Sequence, residues 1–171
     1  MTPSATTPVV HCRNCGAPAI PLRAPGAAFC RYCGAYQQPT AVAPNREGVI
    51  VCETHAKLAC PLCAETLHEA VVAERPAAIC TGCGGLLCAM EHFALIIRTR
   101  RAEYTGLEND PQALNRAELE RDVRCPQCAA VMETHPYGGA GNVVIDTCAS
   151  CGLVWLDPGE LTALERAPGR R

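Results

Sequence analysis

The chain has 171 residues and a formal charge of −2, with Lys and Arg 15 against Asp and Glu 17, so nothing marks the whole as polyanion-binding. Its 14 cysteines, about 8% of the chain, lie far above ordinary usage, while one Trp, four Tyr, two Phe and 14 prolines argue against one large packed core. No apolar stretch is long enough for a membrane span, and Met1-Thr2-Pro3-Ser4 has neither the basic start nor the apolar run of a secretory leader. A cytoplasmic, reducing setting is therefore the expectation, and there paired cysteines are metal ligands rather than disulfides.

In chain order, residues 1–10 are rich in Thr, Pro and Ala and are expected to be disordered. Residues 11–37 carry Cys12-x-x-Cys15 and Cys30-x-x-Cys33, with 14 residues between the pairs, and predict a first zinc ribbon. A linker is expected over 38–48, where Pro39 and Pro44 occur with few large apolar side chains. A middle zinc-binding unit over 49–104 has Cys60/Cys63 and Cys80/Cys83 separated by 16 residues, then a helix from Glu91 to about Tyr104. Its Arg98, Arg100 and Arg101 fall near the helix end, where the macrodipole favours cations. Residues 105–124 predict a helical spacer, with Asp110 as N-cap, Pro111 in the first turn and charges of alternating sign to about Arg121, which read as a solvated face. The last unit, 125–167, has Cys125/Cys128 and Cys148/Cys151 with 19 residues between them. Its closing helix is expected to start at Asp157 as N-cap, with Pro158 at the first position and Glu160 completing a capping box. Leu161 and Leu164 then share a face on which Trp155 can pack.

Each interval suits a β-hairpin leaving one cysteine knuckle and returning to the next, so two knuckles supply four thiolates to one tetrahedral zinc. Gly16, Gly34, Gly84 and Gly152 follow second cysteines, where a tight knuckle needs positive φ. The fold class is thus small, metal-stabilised α+β: tandem zinc ribbons with short helices and no large common core. Tetrahedral sulfur also suits iron; zinc is preferred because three electron-transfer centres would have no second redox partner in the chain.

The units are degenerate repeats. Placing Cys80/Cys83 on Cys148/Cys151 puts Gly84 on Gly152, Phe93 on Leu161, Ile96 on Leu164, Cys88 on Leu156 and His92 on Glu160. With Cys60 on Cys125, Cys52 and His55 fall opposite Ala117 and Glu120. The middle unit alone therefore adds Cys52-x-x-His55 before its first knuckle and Cys88-x-x-x-His92 after its second. That predicts a fourth metal held by Cys52, His55, Cys88 and His92. Spacing equally allows a cross-braced arrangement, Cys52/His55 with Cys80/Cys83 and Cys60/Cys63 with Cys88/His92; the plain alternative is two buried cysteines and two ordinary histidines. His11 precedes a knuckle and reads as orienting a thiolate, while His68 and His135 read as exposed hairpin residues.

The stretch from Cys125 to Leu164 opens with Cys125-Pro126-Gln127-Cys128 and places Ile145-Asp146 before Cys148-Ala149-Ser150-Cys151-Gly152. It then runs Trp155-Leu156-Asp157-Pro158-Gly159-Glu160-Leu161. These motifs closely resemble the bacterial transcription factor zinc-finger family, small ribbons named for their likeness to that of transcription factor IIB; residues 60–97 resemble it more faintly. Ala129 and Leu153 stand where the family usually has glycine. Cys52-x-x-His55 before Cys60-x-x-Cys63 is faintly similar to bacterial B-box-like fingers. The resemblance implies a zinc ribbon and an association with transcription, but ribbons of this shape serve nucleic-acid and protein contact alike.

Charge is uneven along the chain. Arg13, Arg23, Arg31 and Arg46 against Glu47 give residues 1–47 a net +3, whereas 48–97 carry −3, 98–124 zero and 125–171 −2. Each zinc tetrathiolate adds −2, taking a three-zinc chain to about −8, which disfavours nucleic acid outside the first ribbon. There Arg31, Tyr32 and Tyr36 put a cation beside two rings, either to stack on a base or, as the preferred reading, to cover the knuckle. No triad, phosphate loop or carboxylate pair stands out, and Asp146, Asp157 and Glu160 have structural readings, so no enzyme and no small-molecule substrate are expected. The expected function is a zinc-binding adaptor that engages a protein partner, with a nucleic-acid-binding, transcription-associated factor as the alternative.

Overall fold

The computed structural model describes residues 11–12, 14–21, 28–37, 44–137 and 141–169. The expected disorder of 1–10 and most of the 38–48 linker, with Arg23, lie outside them. The chain divides into two compact units, Met1–Ala43 and Pro44–Arg171.

In the first unit, β1 (Ile20–Pro21), β2 (Ala28–Phe29) and β3 (Tyr36–Gln37) form a small antiparallel sheet in that order. Among the described residues its buried core is Cys12, Ala19, Ala28 and Cys30. Two alanines and two ligands bury little apolar surface, so a bound metal is expected to supply much of this ribbon's folding free energy.

The second unit is built on one seven-stranded antiparallel sheet. Its strands are β4 (Ile50–Ala59), β5 (Thr66–Val72), β6 (Arg75–Ile79), β7 (Leu86–Ala89), β8 (Glu133–Tyr137), β9 (Val143–Cys148) and β10 (Leu153–Leu156). They lie in the order β4-β5-β6-β7-β10-β9-β8, so the middle and last ribbons meet through β7 and β10. The repeat alignment is visible in the registers: Ala78↔Leu87 and Ile79↔Leu86 of the middle ribbon recur as Asp146↔Trp155 and Thr147↔Val154. The seam is reciprocal, with Leu86↔Leu156, Leu87↔Trp155 and Cys88↔Val154, as across a two-fold axis. The tandem ribbons are those expected; within this unit the middle and last ribbons in addition share one sheet and its core.

Strand alternation gives the sheet two apolar faces. One packs under α1 (Met90–Glu103) and α3 (Glu160–Glu165), gathering Ile79, Leu86, Cys88, Val154 and Leu156 with Phe93, Ile96, Leu161 and Leu164. Phe93 and Tyr137 meet edge to face at 4.9 Å. The other face gathers Leu67, Leu87, Met132 and Trp155 with ligands of both knuckle sets. Trp155 is thus on the opposite face from Leu161 and Leu164, not beneath them: its neighbours Val154 and Leu156 point to the helices.

Two further expectations are corrected. The 105–124 spacer forms only α2 (Arg116–Leu119), capped by the Asn115 side chain on Ala117 N (3.2 Å), and Asp110-Pro111 starts no helix. There Asn142 Nδ2 instead donates to Gln112 O (2.6 Å), holding that backbone against the last ribbon. At α3 the N-cap is Gly159, at φ 91°, because the Asp157 carboxylate is drawn to Trp155 Nε1 (2.9 Å) and Arg121. Glu160 still reaches back to Asp157 N (2.6 Å), half of the expected box.

Candidate metal centres

All six knuckles share one backbone feature: the residue after the second cysteine is left-handed. In the first knuckle Gly16 N donates to Cys12 O (2.7 Å) and Cys12 N to Ala17 O (2.7 Å); Ala129 N on Cys125 O and Cys125 N on Ala130 O repeat this at 2.8 Å each. Gly16, Gly34, Gly84 and Gly152 have φ of 62–88°. In the remaining two knuckles the same position is held by Ala64 (φ 62°) and Ala129 (φ 61°), which bear a Cβ in a region that glycine occupies at least cost.

These knuckles converge in three sets: Cys12, Cys15, Cys30 and Cys33; Cys60, Cys63, Cys80 and Cys83; and Cys125, Cys128, Cys148 and Cys151. Within each, all ligand atoms lie within 4.8 Å of one another. Sulfurs of a tetrahedral zinc, each about 2.3 Å from the metal, are about 3.8 Å apart. The observed separations fit: Cys12–Cys33 and Cys15–Cys30 at 3.6 Å, Cys60–Cys83 at 3.6 Å, Cys63–Cys80 at 3.3 Å and Cys128–Cys148 at 3.7 Å. Backbone amides orient the sulfurs, with Leu62 N on Cys60 Sγ (3.4 Å) and Gly85 N on Cys83 Sγ (3.4 Å). When bound, zinc cross-links the two knuckles of each ribbon and contributes directly to folding.

The thiol electrostatics favour a dication. The N–H of Cys15 brings Cys12 down to about 6, against the effect of burial, and the N–H of Ala130 brings Cys128 down to about 7. Cys151 is pushed up to about 12, first by its hydrogen bond to Cys128. Four thiols at one point cannot all ionise unaided, so binding a cation releases protons.

The expected fourth set is not brought together. Val51, Ala70, Ala77 and Cys88 form one row across β4, β5, β6 and β7, so Cys52 stands about three strand spacings, some 14 Å, from Cys88. Cys88 lies in the apolar core under the helices, and burial pushes its thiol up to about 12. The convergence of Cys60, Cys63, Cys80 and Cys83 likewise overturns the cross-braced pairing. His92 lies on α1 with Nε2 3.8 Å from Glu91. His55 stacks instead against His68, their centroids 4.2 Å apart, so His68 is half-buried rather than free. His135, also half-buried, has Nε2 3.4 Å from Thr147 Oγ1, and His11 Nδ1 lies 3.1 Å from the knuckle carbonyl of Gly16.

Sequence reasoning missed the ion-pair network of the last ribbon. Asp146, only 1% exposed, accepts from Thr134 Oγ1 (2.5 Å) and Arg121 (3.0 Å), and Arg121 also pairs with Asp157. In the sequence Arg121 reads as one solvated charge among many. The repeat alignment carried the signal, since the alanine Ala78 stands where the last ribbon has Asp146. Arg100 and Arg101 also turn inward, to Glu165 and to Leu164 O (2.9 Å). In the first unit Tyr32 is 79% exposed, so it does not cover its knuckle. The side chain of Tyr36 lies outside the described residues.

Residues 124–167 match the family model described as Transcription factor zinc-finger, a segment of the chain that contains the third four-cysteine set. No curated protein and no solved structure matches the chain.

Proposed function

We propose that this zinc-binding chain is a non-enzymatic adaptor that presents its ribbon surfaces to a protein partner. The observation carrying this reading is that three arginines of the second unit are used internally: Arg100 on Glu165, Arg101 on Leu164 O, and Arg121 on Asp146 and Asp157. A unit whose zinc centres add negative charge, and three of whose arginines are spent on its own fold, is poorly suited to phosphate. Apolar side chains, by contrast, project outward at its loops: Leu62 at a knuckle tip, Val131 beyond another, and Leu107, 90% exposed. Such residues serve as anchors in protein contacts. Each zinc has four strong protein ligands and no position for substrate, which supports a structural rather than catalytic metal.

The test places a photo-crosslinking residue at Leu62 or Leu107 in the full chain, identifies the captured protein and reconstitutes the complex from purified components. Binding that weakens on Leu62→Asp or Leu107→Asp supports the adaptor. A second reading, nucleic-acid binding by the first ribbon, is favoured by Tyr32, which stands free beside the exposed Arg31. Salt-sensitive anisotropy with single-stranded or duplex nucleic acid, lost on Tyr32→Ala with Arg31→Ala, would replace the adaptor reading.

A further inference from the structure

The paired histidines of the two outer strands are a feature that neither ribbon architecture nor the adaptor reading uses. His55 on β4 and His68 on β5 are direct cross-strand partners. Their ring centroids are 4.2 Å apart with the planes tilted by 48°. The β4–β5 register shifts on both sides of His55, between Val51 and His55 and again before Ala59, an irregularity of the kind that re-aims a side chain at a sheet edge. β4 is the outermost strand and His55 is exposed, so the pair opens to solvent.

The second ring is oriented as a metal ligand's would be. His68 Nδ1 faces the backbone carbonyl of Cys52 at 3.4 Å, so this nitrogen donates and Nε2 keeps its lone pair. A carbonyl partner on the far nitrogen is the usual device that fixes the tautomer of a ligating histidine. Two nitrogens bound to one tetrahedral zinc, each at about 2.0–2.1 Å, are about 3.3 Å apart. Rings with centroids at 4.2 Å need only small side-chain rotations to reach that span, and exposed His55 is free to make them. Among the described residues no third His, Cys, Asp or Glu ligand atom converges with this pair, which leaves the two imidazoles as the protein ligands.

We propose that His55 and His68 form an open, two-imidazole site for a borderline divalent cation such as zinc, with water completing its coordination. The site is distinct from the three cysteine sets, and neither Cys88 nor His92 takes part. With two neutral ligands it exchanges its ion readily, whereas the four-thiolate sites hold theirs.

The test uses the full chain loaded with three zinc ions and dialysed free of loose metal. Equilibrium dialysis against free zinc from micromolar to sub-millimolar, with elemental analysis, is expected to show a fourth ion in the parent chain and in His135→Ala. In His55→Gln and His68→Ala its affinity falls by more than about tenfold, and in the parent the imidazole nitrogen resonances of His55 and His68 shift together with its binding. Because His55 is exposed, His55→Gln keeps the fold even where His68→Ala does not. No fourth ion in the parent chain, or one unaffected by His55→Gln, overturns the proposal.

Discussion

Leu87 and Trp155 face each other across the seam between β7 and β10, and they occupy the same position in two copies of one ribbon. The axis between them is therefore approximate, and side-chain size breaks it. Trp155 is fully buried, and a Cβ at Gly85 would clash with its indole at Cζ2. Leu153, the equivalent of Gly85 in the other ribbon, lies diagonal to the smaller Leu87. The departure from glycine at Leu153 is thus matched by the glycine kept at Gly85: one large and one small side chain on each side of the seam. Trp155→Leu is expected to cost about 2–4 kcal/mol through the cavity it leaves, and Gly85→Leu about 1–3 kcal/mol through overpacking. Together they should cost less than the sum, by about 1–2 kcal/mol, since the double change repeats the Leu153 and Leu87 arrangement around Gly85. Chemical denaturation of all three variants checks this; strict additivity would mean that the two sites do not share the space.

Metal removal should separate the two units. Among the described residues the first unit's core consists of its own alanines and ligands, so Cys30→Ser is expected to lower the zinc content from three to two and unfold that ribbon. Cys148→Ser should also lower the count to two, but Cys148 belongs to a core shared with Leu87, Leu67 and Cys80 of the middle ribbon. Its loss should therefore destabilise both ribbons of the second unit. Elemental analysis with hydrogen exchange tells the cases apart.

The ligand sets were legible because the spacing that closes a four-thiolate site is local and chemically narrow. The fused sheet was not, although its ingredients were present: the alignment that paired Phe93 with Leu161 and Ile96 with Leu164 placed equivalent residues in what proved to be one core. Alignment shows likeness between repeats but not whether they touch. The ligand set of Cys52, His55, Cys88 and His92 failed for the same reason, since spacing set Cys88 near a knuckle while strand order carried Cys52 three strands away. The β5–β6 turn was equally hidden: Ala73 and Glu74, at φ 45° and 63°, form a two-residue turn without the Asn-Gly that usually announces one. There the knuckles at both ends of the hairpin impose the turn on residues that would not choose it.

Ala64 and Ala129 carry similar local strain. Replacing either by glycine should stabilise the second unit by about 0.5–1 kcal/mol, since relief of the left-handed conformation outweighs the greater freedom of the unfolded chain. Gly84→Ala should destabilise by a similar amount or more. Thermal unfolding of the zinc-loaded chain checks the sign in each case.

Arg121 is the partner that makes a buried Asp146 tolerable. Burial raises the Asp146 carboxyl, opposed by Thr134 and Arg121. Arg121→Met leaves that carboxylate with only Thr134 and should cost about 3 kcal/mol. Adding Asp146→Asn should recover part of this, because a neutral amide needs no counter-charge. Recovery in urea denaturation distinguishes a charge effect from lost packing of the arginine stem; its absence would favour packing.

Glu160 should give the second unit a pH dependence that runs opposite to that of most carboxylates. Burial pushes it up to about 8, opposed by the Asp157 N–H and reinforced by the charges of Asp157, Glu118 and Asp146. It borders a cavity of about 210 Å³ that Glu118 and Asn142 also line, so its neighbours there supply no cation. A carboxyl raised in the folded state binds a proton that the unfolded chain, with its ordinary value of 4.5, has already lost. Its contribution is therefore most favourable below about 4.5, falls as the pH rises toward 8, and is constant above that. Glu160→Gln removes the titration and keeps an oxygen for the Asp157 N–H. Between pH 6 and 9, where the thiolate sites stay loaded, the parent should lose stability relative to Glu160→Gln, by a few kcal/mol at most. Parallel stability curves for the two proteins would show that Glu160 is already ionised in the folded state, held by the capping bond alone.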